Sequence, residues 1–255
     1  MTLTCLALTH PGRVRGANED KFSYDTELGL FIVADGMGGH NAGEVASAIA
    51  TETIRGFIDV TQREVEFTWP FGIDPRISYQ ANRLATAIRL ANRSVMKEGE
   101  TRGAYTGMGT TVVAVLIIAG RATFAGVGDS RLYSLLGGEL RQLTRDETWV
   151  TALLQQDPQL DPAQLANHPM RHVLTNVVGA REDIAVAPLE HQLTDGETLL
   201  LCTDGLTDML ADDQIRAALT ADQDLEAAAR RLQEGALEAG GVDNVTTVLV
   251  RYHTA

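Results

Sequence analysis

Four aspartates in this chain lie where a metal site is readily built, at tight turns beside apolar runs. The segments LFIVADG, TFAGVGDS and TLLLCTDG each bring an apolar run to an aspartate, and GGVDNVTT places a fourth just before another strand-like run; the four are Asp35, Asp129, Asp204 and Asp243. A carboxylate at a strand end lies at the rim of a buried sheet, and hard divalent cations need such oxygen ligands. The pattern predicts a metal enzyme.

The ligand types also indicate which metal. The chain has no CxxC, HExxH or paired Cys/His spacing, so a zinc site would have to be assembled from scattered histidines. Oxygen ligands favour Mg²⁺ or Mn²⁺ instead. A calcium-binding module is another alternative, but the sequence contains no DxDxDG loop and its aspartates are dispersed over more than 200 positions.

Three further clusters bring chemistry-bearing residues together at short spacing. RGANED, at 15–20, packs an arginine, an amide and two carboxylates into six positions, although taken alone it is also typical of a solvated turn. DGMGGH, at 35–40, has glycines that let backbone atoms approach a ligand closely, or that simply lead into a helix. TGMGTT, at 106–111, leads into a strand and lacks the lysine of a phosphate loop, which argues against a nucleotide site.

Strand-like runs must position these turns. Runs rich in β-branched and apolar residues, bounded by Gly, Asp or Asn, lie at 3–8, 30–34, 111–118, 122–127, 131–135, 198–203 and 245–252. Several follow one another through short turns such as Ala119-Gly120 and Gly137-Gly138, which is typical of antiparallel hairpins. The sequence shows no regular alternation of strands and helices that would indicate a parallel sheet.

Helical periodicity is present at 44–58, 79–97 and 224–239. Because strands come in blocks with long helices between them, we expect an α+β layered architecture with helices packed outside antiparallel sheets. No repeat, low-complexity tract or linker divides the 255 residues, so we expect a single domain, 1–255. Two stretches are expected to decorate it, a variable insert at 59–78 and a segment at 145–179 that is long enough to be a mobile flap.

Composition excludes several classes of protein. The longest apolar run, Val112 to Ala119, is far too short for a bilayer span of roughly 20 residues, and the N-terminus lacks a basic n-region, so we expect neither an export signal nor a membrane anchor. Cys5 and Cys202 lie inside apolar segments, which favours buried free thiols and a reducing compartment, the cytoplasm. A net charge of −13 argues against nucleic acid as a partner. A phosphorylated substrate stays compatible if bound cations reverse the local potential.

Taken in order, these segments resemble the PPM family, the metal-dependent protein serine/threonine phosphatases also called PP2C, and DGMGGHNAGEVAS is similar to the bacterial branch. The resemblance spans nearly the whole chain and rests on RGANED at 15–20, DGMGGH at 35–40, GMGTT at 107–111, VGDSRLY at 127–133, LLLCTDGL at 199–206 and DNVT at 243–246. It implies a four-layer α-β-β-α sandwich, two antiparallel sheets flanked by helices, with a dinuclear metal centre at one end and a flap subdomain within 146–175.

The resemblance also implies a ligand set for two Mn²⁺ or Mg²⁺ ions. Asp35 would bridge both ions, Asp204 and Asp243 would bind the first, and the carbonyl of Gly36 would bind the second. Two such cations about 4 Å apart can activate a water between them for direct attack on phosphorus, without a phosphoenzyme. Metal-dependent hydrolysis of a phosphomonoester follows as the expected reaction.

Further roles come from the same motifs. Glu19 and Asp20 would act through coordinated waters, and Asp129 together with Asp204 would form a third, weaker metal position. Arg15 would hold the substrate phosphate as a bidentate fork, for which lysine is a poor substitute.

Several residues depart from the family pattern or have two interpretations. Met37 stands where many eukaryotic relatives carry a histidine that is a candidate acid for the leaving group, and His40 is the nearest substitute. A local hydrogen-bonding or substrate-contact role for His40, and a coordinated water as the acid, are alternatives. Glu147 stands in the presumed flap where bacterial relatives often carry histidine. Arg131 is interpreted as a structural partner of nearby carboxylates, and core packing is the default for Trp69 and Trp149.

The leading hypothesis is therefore a cytoplasmic, monomeric phosphatase that acts on phosphoserine and phosphothreonine in proteins and opposes a Ser/Thr kinase. Its partners would be phosphorylated proteins, with no role for nucleic acid or a membrane. The alternative is a pseudophosphatase-like regulator that keeps the fold for partner binding. The discriminating feature is the ligand set, since the expected carboxylates and Arg15 are all present in the sequence.

Overall fold

The computed structural model describes residues 1–39, 41–64, 67–157, 159–165 and 168–254. In chain order, the strands among these residues are β1 (Thr2–His10), β2 (Asp20–Asp25), β3 (Leu30–Met37), β4 (Gly109–Thr110), β5 (Val112–Ile118), β6 (Arg121–Val127), β7 (Arg131–Leu136), β8 (Glu139–Gln142), β9 (Leu189–Gln192), β10 (Thr198–Cys202) and β11 (Val245–His253). The helices are α1 (Ala42–Arg63), α2 (Tyr79–Thr101), α3 (Trp149–Gln156), α4 (Pro162–Leu165), α5 (Asp204–Thr207), α6 (Asp212–Thr220) and α7 (Leu225–Glu238).

The strands form two antiparallel sheets. The first has the order β1-β11-β10-β7-β8, and the second has the order β2-β3-β5-β6-β9, with the short β4 paired to β3. Two tight turns close the hairpins that the sequence predicts. Ala119 and Gly120 have φ values of 49° and 78°, and Gly137 and Gly138 have 59° and 85°. Positive φ at both central residues matches the right-handed twist of paired strands, so these predictions are confirmed.

Three hydrophobic clusters stack the elements into four layers. Alternate residues of β3 point to opposite faces, with Phe31 and Val33 packed between the sheets and Ile32 packed against the helical layer. Helices α1 and α2 cover the second sheet, where Ile54 and Leu84 join its core. Helices α6 and α7 cover the first sheet. The predicted α-β-β-α sandwich of two antiparallel sheets is therefore confirmed.

Element boundaries differ from the sequence prediction in places. The helix predicted at 44–58 runs from Ala42 to Arg63, so the first residues of the predicted insert at 59–78 belong to α1. Trp69 packs on the outer surface of the helices, at 5.6 Å between ring centroids from Tyr79. The strands β2, β4, β8 and β9 were not predicted because they are short and carry polar or charged residues at alternate positions.

The segment 145–179 leaves the first sheet after β8 and contains α3 and α4. An isolated antiparallel bridge between Thr148 and Leu174 joins the two ends of the segment to each other, and a second bridge, between Thr110 and Val178, fixes its returning end to β4. Both cysteines are free thiols, as predicted, with Cys202 buried and Cys5 half-buried. Among the described residues, no helix has the length and the apolarity needed to cross a bilayer.

Candidate metal centre

The predicted aspartates meet at one end of the sandwich. Asp35 lies near the C-terminal end of β3, and Asp129 follows β6. Asp204 is the first residue of α5, which comes after β10, and Asp243 precedes β11. These four carboxylates line a single cavity of about 400 Å³ together with Arg15, Glu19, Gly36, Met37 and His172. Segments that lie far apart in the sequence thus supply one concentrated set of oxygen ligands, and the cavity is open to a ligand from outside.

Two Asp-Gly pairs bring the backbone of neighbouring motifs into close contact. A Cβ atom on Gly36 would lie 2.0 Å from the carbonyl oxygen of Gly43, and a Cβ on Gly205 would lie 1.9 Å from that of Asn244. Only glycine fits at such distances. The glycines that follow Asp35 and Asp204 are therefore required by packing between the motifs.

Asp20 is buried, with 3% of its surface exposed, and lies opposite Asp35 in the register of β2 and β3. Its Oδ2 atom accepts hydrogen bonds from the hydroxyls of Thr203 at 2.9 Å and Thr246 at 2.6 Å. Since Thr203 precedes Asp204 and Thr246 is the second residue of β11, these bonds connect the ends of both sheets. The other oxygen, Oδ1, has no hydrogen-bond partner among the described residues.

Asn244 fixes the loop that carries Arg15 and Glu19. Its Oδ1 atom accepts the backbone N–H of Glu19 at 2.8 Å, and its Nδ2 donates to the carbonyl oxygens of Ala17 and Pro11, both at 2.9 Å. Thr111 has a similar function at the other side of the cavity, where its hydroxyl accepts the backbone N–H of Asp35 at 3.0 Å. Both residues lie inside motifs named above, DNVT and GMGTT, but the sequence pattern alone predicts no role for them.

Burial and mutual repulsion raise the pKa values of the clustered carboxyl groups. Burial, followed by a neighbouring carboxylate, raises the pKa of Asp129 to about 7 and that of Asp204 to about 6. Burial also raises the pKa of Asp20 to about 7, although its hydrogen bonds from Thr246 and Thr203 act in the opposite direction. Burial and neighbouring carboxylates raise the pKa of Asp35 well above its usual value. Burial also raises the pKa of Glu19. So many carboxylates cannot ionise together in this cavity unless positive charge accompanies them.

The donor set fits a hard divalent cation. Three buried carboxylate oxygens, Glu19 Oε1, Asp20 Oδ1 and Asp204 Oδ1, have no hydrogen-bond partner among the described residues. Buried polar atoms are normally satisfied, so this concentration indicates a ligand that supplies the missing interactions. Carboxylate and carbonyl oxygens are the ligands that Mg²⁺ and Mn²⁺ prefer.

His172, in the segment 145–179, was not identified from the sequence. Its ligand nitrogen and one carboxylate oxygen each of Asp204 and Asp208 lie within 4.8 Å of one another. The Nδ1 atom is 3.5 Å from Asp208 Oδ2, and both side chains are partly exposed. A single histidine without a nearby ligand in the sequence carries no local signal, because only the tertiary structure brings it to the cavity.

Of the predicted catalytic residues Arg15 and His40, only Arg15 lies within the part of the chain that the structure describes. Arg15 reaches the cavity, where its Nη2 atom donates to Asp243 Oδ2 at 2.7 Å. Its side chain remains 56% exposed, which leaves the guanidinium accessible at the mouth of the site. His40 lies outside the described residues, so its role as an acid stays a prediction. The neighbouring Met37 lines the cavity, and its thioether cannot donate a proton.

The structural interpretation of Arg131 agrees with its contacts. Its guanidinium forms a bidentate pair with Asp146, with Nε at 2.9 Å from Oδ1 and Nη2 at 2.7 Å from Oδ2, and it donates to the hydroxyl of Tyr133 at 2.8 Å. Trp149 stacks on His168 with 4.7 Å between ring centroids. These side chains organise the base of the segment 145–179 and the strand beside it.

Comparison with known proteins identifies the family. The family model described as "Protein phosphatase 2C" matches residues 13–240. Protein phosphatase PhpP of Streptococcus pneumoniae is 33% identical over 246 residues, which covers 95% of each chain. The crystal structure of the Mycobacterium tuberculosis serine/threonine phosphatase PstP/Ppp superposes with a TM-score of 0.86 at 32% identity, and it covers 100% of both chains.

A second structure bears on the cofactor. The catalytic domain of the serine/threonine protein phosphatase PstP, in complex with two manganese ions, superposes with a TM-score of 0.82 at 31% identity over 99% of both chains. This chain belongs to the protein phosphatase 2C family, and the predicted family and enzyme class are confirmed. None of these comparisons supports the alternative of a binding protein without activity.

Proposed function

We propose that this protein hydrolyses phosphoserine and phosphothreonine in protein substrates with two Mn²⁺ or Mg²⁺ ions. The convergence of Asp35, Asp129, Asp204 and Asp243 on one cavity, with unpartnered carboxylate oxygens inside it, is the observation that supports this most directly. Arg15 at the mouth supplies the cationic fork that a phosphate requires. The named activity of the relatives supports the substrate class.

The ions would be held by the carboxylates of Asp35, Asp204 and Asp243 and by the carbonyl of Gly36. Glu19 and Asp20 would contribute through waters, for which their unpartnered oxygens are suitable acceptors. Asp129 with Asp204 would form a third and weaker position. When bound, the cations lower the pKa of a water, aim it at phosphorus and stabilise the charge that develops on the phosphoryl oxygens.

The protein's own groups bind and orient the substrate. Asp243 accepts a hydrogen bond from Arg15 and so holds the guanidinium beside the carboxylates. The Arg15 fork then orients the phosphate and meets charge that increases in the transition state. Asp20 is held by hydrogen bonds from Thr203 and Thr246 to one oxygen, which leaves its other oxygen free for a coordinated water. Protonation of the leaving oxygen is assigned to His40, and this role rests on the sequence alone.

The organisation of the protein follows from the same proposal. The whole chain, 1–255, acts as one phosphatase domain, with 145–179 as its flap and 59–78 as a variable insert. The flap assignment is supported by His172, which extends from this segment into the metal cavity. The active form would be a monomer. The partners would be phosphorylated proteins and a Ser/Thr kinase in the cytoplasm.

The test is hydrolysis of a phosphothreonine peptide by the purified protein after chelation, and again after Mn²⁺ or Mg²⁺ is restored. We expect turnover only with metal, and we expect Asp204→Asn to abolish it while the fold is retained, because the amide removes a charged ligand without changing the shape. Retained turnover in Asp204→Asn, or no turnover of the unmodified protein with either metal, would refute the proposal.

A further inference from the structure

Glu147 lies at the base of the segment 145–179 and is not among the residues that line the metal cavity. It lines a neighbouring cavity of about 320 Å³ between this segment and β6. Its Oε2 atom accepts two hydrogen bonds, from the backbone N–H of Gly128 at 3.0 Å and from Nδ2 of Asn176 at 2.9 Å. No lysine, arginine or histidine among the described residues forms an ion pair with it. The carboxylate is therefore committed to these two donors.

The backbone of Glu147 strengthens the same connection. Its N–H donates to the carbonyl oxygen of Gly128 at 2.8 Å, and its carbonyl oxygen accepts the N–H of Thr175 at 2.7 Å and the hydroxyl of Thr175 at 2.9 Å. Asn176 also donates to the carbonyl oxygen of Ala185 at 2.8 Å. Glu147, near the start of the segment 145–179, is thus bonded both to Thr175 and Asn176 near its end and to the turn that follows β6.

That turn carries Asp129. Gly128 has a φ of 97°, and a Cβ on it would lie 2.7 Å from Cγ2 of Thr111, so the turn is wedged between Thr111 and Glu147. On its far side, the hydroxyl of Ser130 bonds that of Thr111 at 2.7 Å, and the Thr111 hydroxyl accepts the N–H of Asp35 at 3.0 Å. A continuous set of hydrogen bonds and contacts therefore links Glu147 to two carboxylates of the centre.

We propose that Glu147 is a positioning residue that holds the Gly128–Asp129 turn and couples the segment 145–179 to the weakest metal position. It touches neither substrate nor cation and acts through the N–H of Gly128. Charge-assisted hydrogen bonds are stronger than neutral ones, so an anionic acceptor fixes this amide more firmly than a neutral group does. The role assigned to Asp129 rests on the proposed function.

Three variants separate the contribution of the side chain. Glu147→Gln keeps one oxygen that can accept both N–H groups, whereas Glu147→Ala removes the acceptor. Glu182→Ala is the matched control, since Glu182 is an exposed carboxylate just beyond the same segment. Should the alanine variant not fold, Glu147→Met keeps the volume of the side chain without a carboxylate and takes its place.

The first measurement is amide hydrogen exchange in the metal-free protein, monitored by NMR. We expect exchange at Gly128 to increase about tenfold or more in Glu147→Ala, the change that corresponds to losing a hydrogen bond to a charged group. Exchange at Thr175 should change little, because its N–H bonds the backbone carbonyl of Glu147. Glu147→Gln should lie between the parent and the alanine variant, because its neutral oxygen still accepts the bond but without the charge. Glu182→Ala should match the parent. An equal increase at Gly128 and Thr175 would show general loosening and overturn the proposal.

The second measurement is a calorimetric titration with Mn²⁺. We expect the weakest binding step to lose about tenfold in affinity in Glu147→Ala, with the tighter steps unchanged. Glu147→Gln should lose less, because its neutral oxygen still accepts the N–H of Gly128. An unchanged weakest step, or a glutamine variant as defective as the alanine variant, would overturn the proposal. Amide exchange needs neither metal nor substrate, so its outcome is independent of the Asp204→Asn assay that decides the proposed function.

Discussion

Residues of the candidate metal centre hold the surrounding backbone and also offer oxygen atoms to a ligand. Asp20 uses one oxygen to accept bonds from Thr203 and Thr246 and leaves the other without a protein partner. Both the oxygen and the nitrogen of the Asn244 amide form hydrogen bonds that hold the loop carrying Arg15 and Glu19. The carboxylates can therefore be close to one another because neutral hydroxyl and amide groups, rather than salt bridges, hold the backbone around them.

Arg15 is the residue whose role in phosphate binding is easiest to separate from metal binding. We expect Arg15→Ala to raise the KM for a phosphothreonine peptide about tenfold or more, with a smaller decrease in kcat, because the variant loses charge-assisted hydrogen bonds to the phosphate. Arg15→Lys should recover only part, since an ammonium lacks the planar fork. Steady-state kinetics at saturating Mn²⁺ measure both effects.

Arg13→Ala is the matched control, because it removes an exposed arginine two positions away in the same loop. It should leave KM and kcat close to those of the parent protein. If Arg15→Ala behaved like Arg13→Ala, then Arg15 would have no part in the site, and its bond to Asp243 would be structural only.

At the scale of elements, the turns of the centre are interlocked. The Asp204-Gly205 turn at the start of α5 lies directly on the backbone of Asn244, and a Cβ on Gly205 would approach its carbonyl oxygen to 1.9 Å. Gly56 gives the opposite case. It lies on the exposed face of α1, and nothing stands within 4 Å of the position of its Cβ.

The two glycines should respond to alanine with opposite signs. We expect Gly205→Ala to lower the free energy of unfolding by about 2 kcal/mol or more, because one of two packed backbone segments must move. Gly56→Ala should raise it by about 0.5–1 kcal/mol, since alanine restricts the unfolded chain and favours the helix. Urea denaturation of the metal-free proteins measures both. A Gly205→Ala variant as stable as the parent would contradict the close packing of these motifs.

The sequence predicts elements well where its signal is local. The periodicity at 79–97 corresponds to α2, and the apolar runs correspond to the central strands, because each pattern is repeated within one element. The motif resemblance places Asp35, Asp204 and Asp243 in one site. The supporting bonds have no such signal, since Asp20 and Thr203 are 183 positions apart. His172 and the edge strand β2 were missed for the same reason, because their positions depend on tertiary contacts.

The whole molecule carries a net charge of −13, and the carboxylates clustered in its metal centre repel one another. The raised pKa values mean that the folded metal-free protein binds protons at Asp20, Asp129 and Asp204 over a range in which the unfolded chain has released them. Their contribution to stability is therefore fully present below the unfolded pKa of about 4 and is lost as the pH rises through the folded values of about 6 to 7.

We therefore expect the Tm of the chelated protein to fall by about 5 °C or more between pH 5 and pH 8. Cations replace the bound protons, so the increase in Tm on adding Mn²⁺ should be larger at pH 8 than at pH 5. Thermal unfolding across this range, with chelator and with Mn²⁺, measures both trends. Asp129→Asn removes one of the groups with a raised pKa, so its Tm in chelator should depend less on pH. A Tm of the chelated parent that rises with pH, or a Mn²⁺ effect that is the same at pH 5 and pH 8, would contradict the link between these carboxylates and the bound cations.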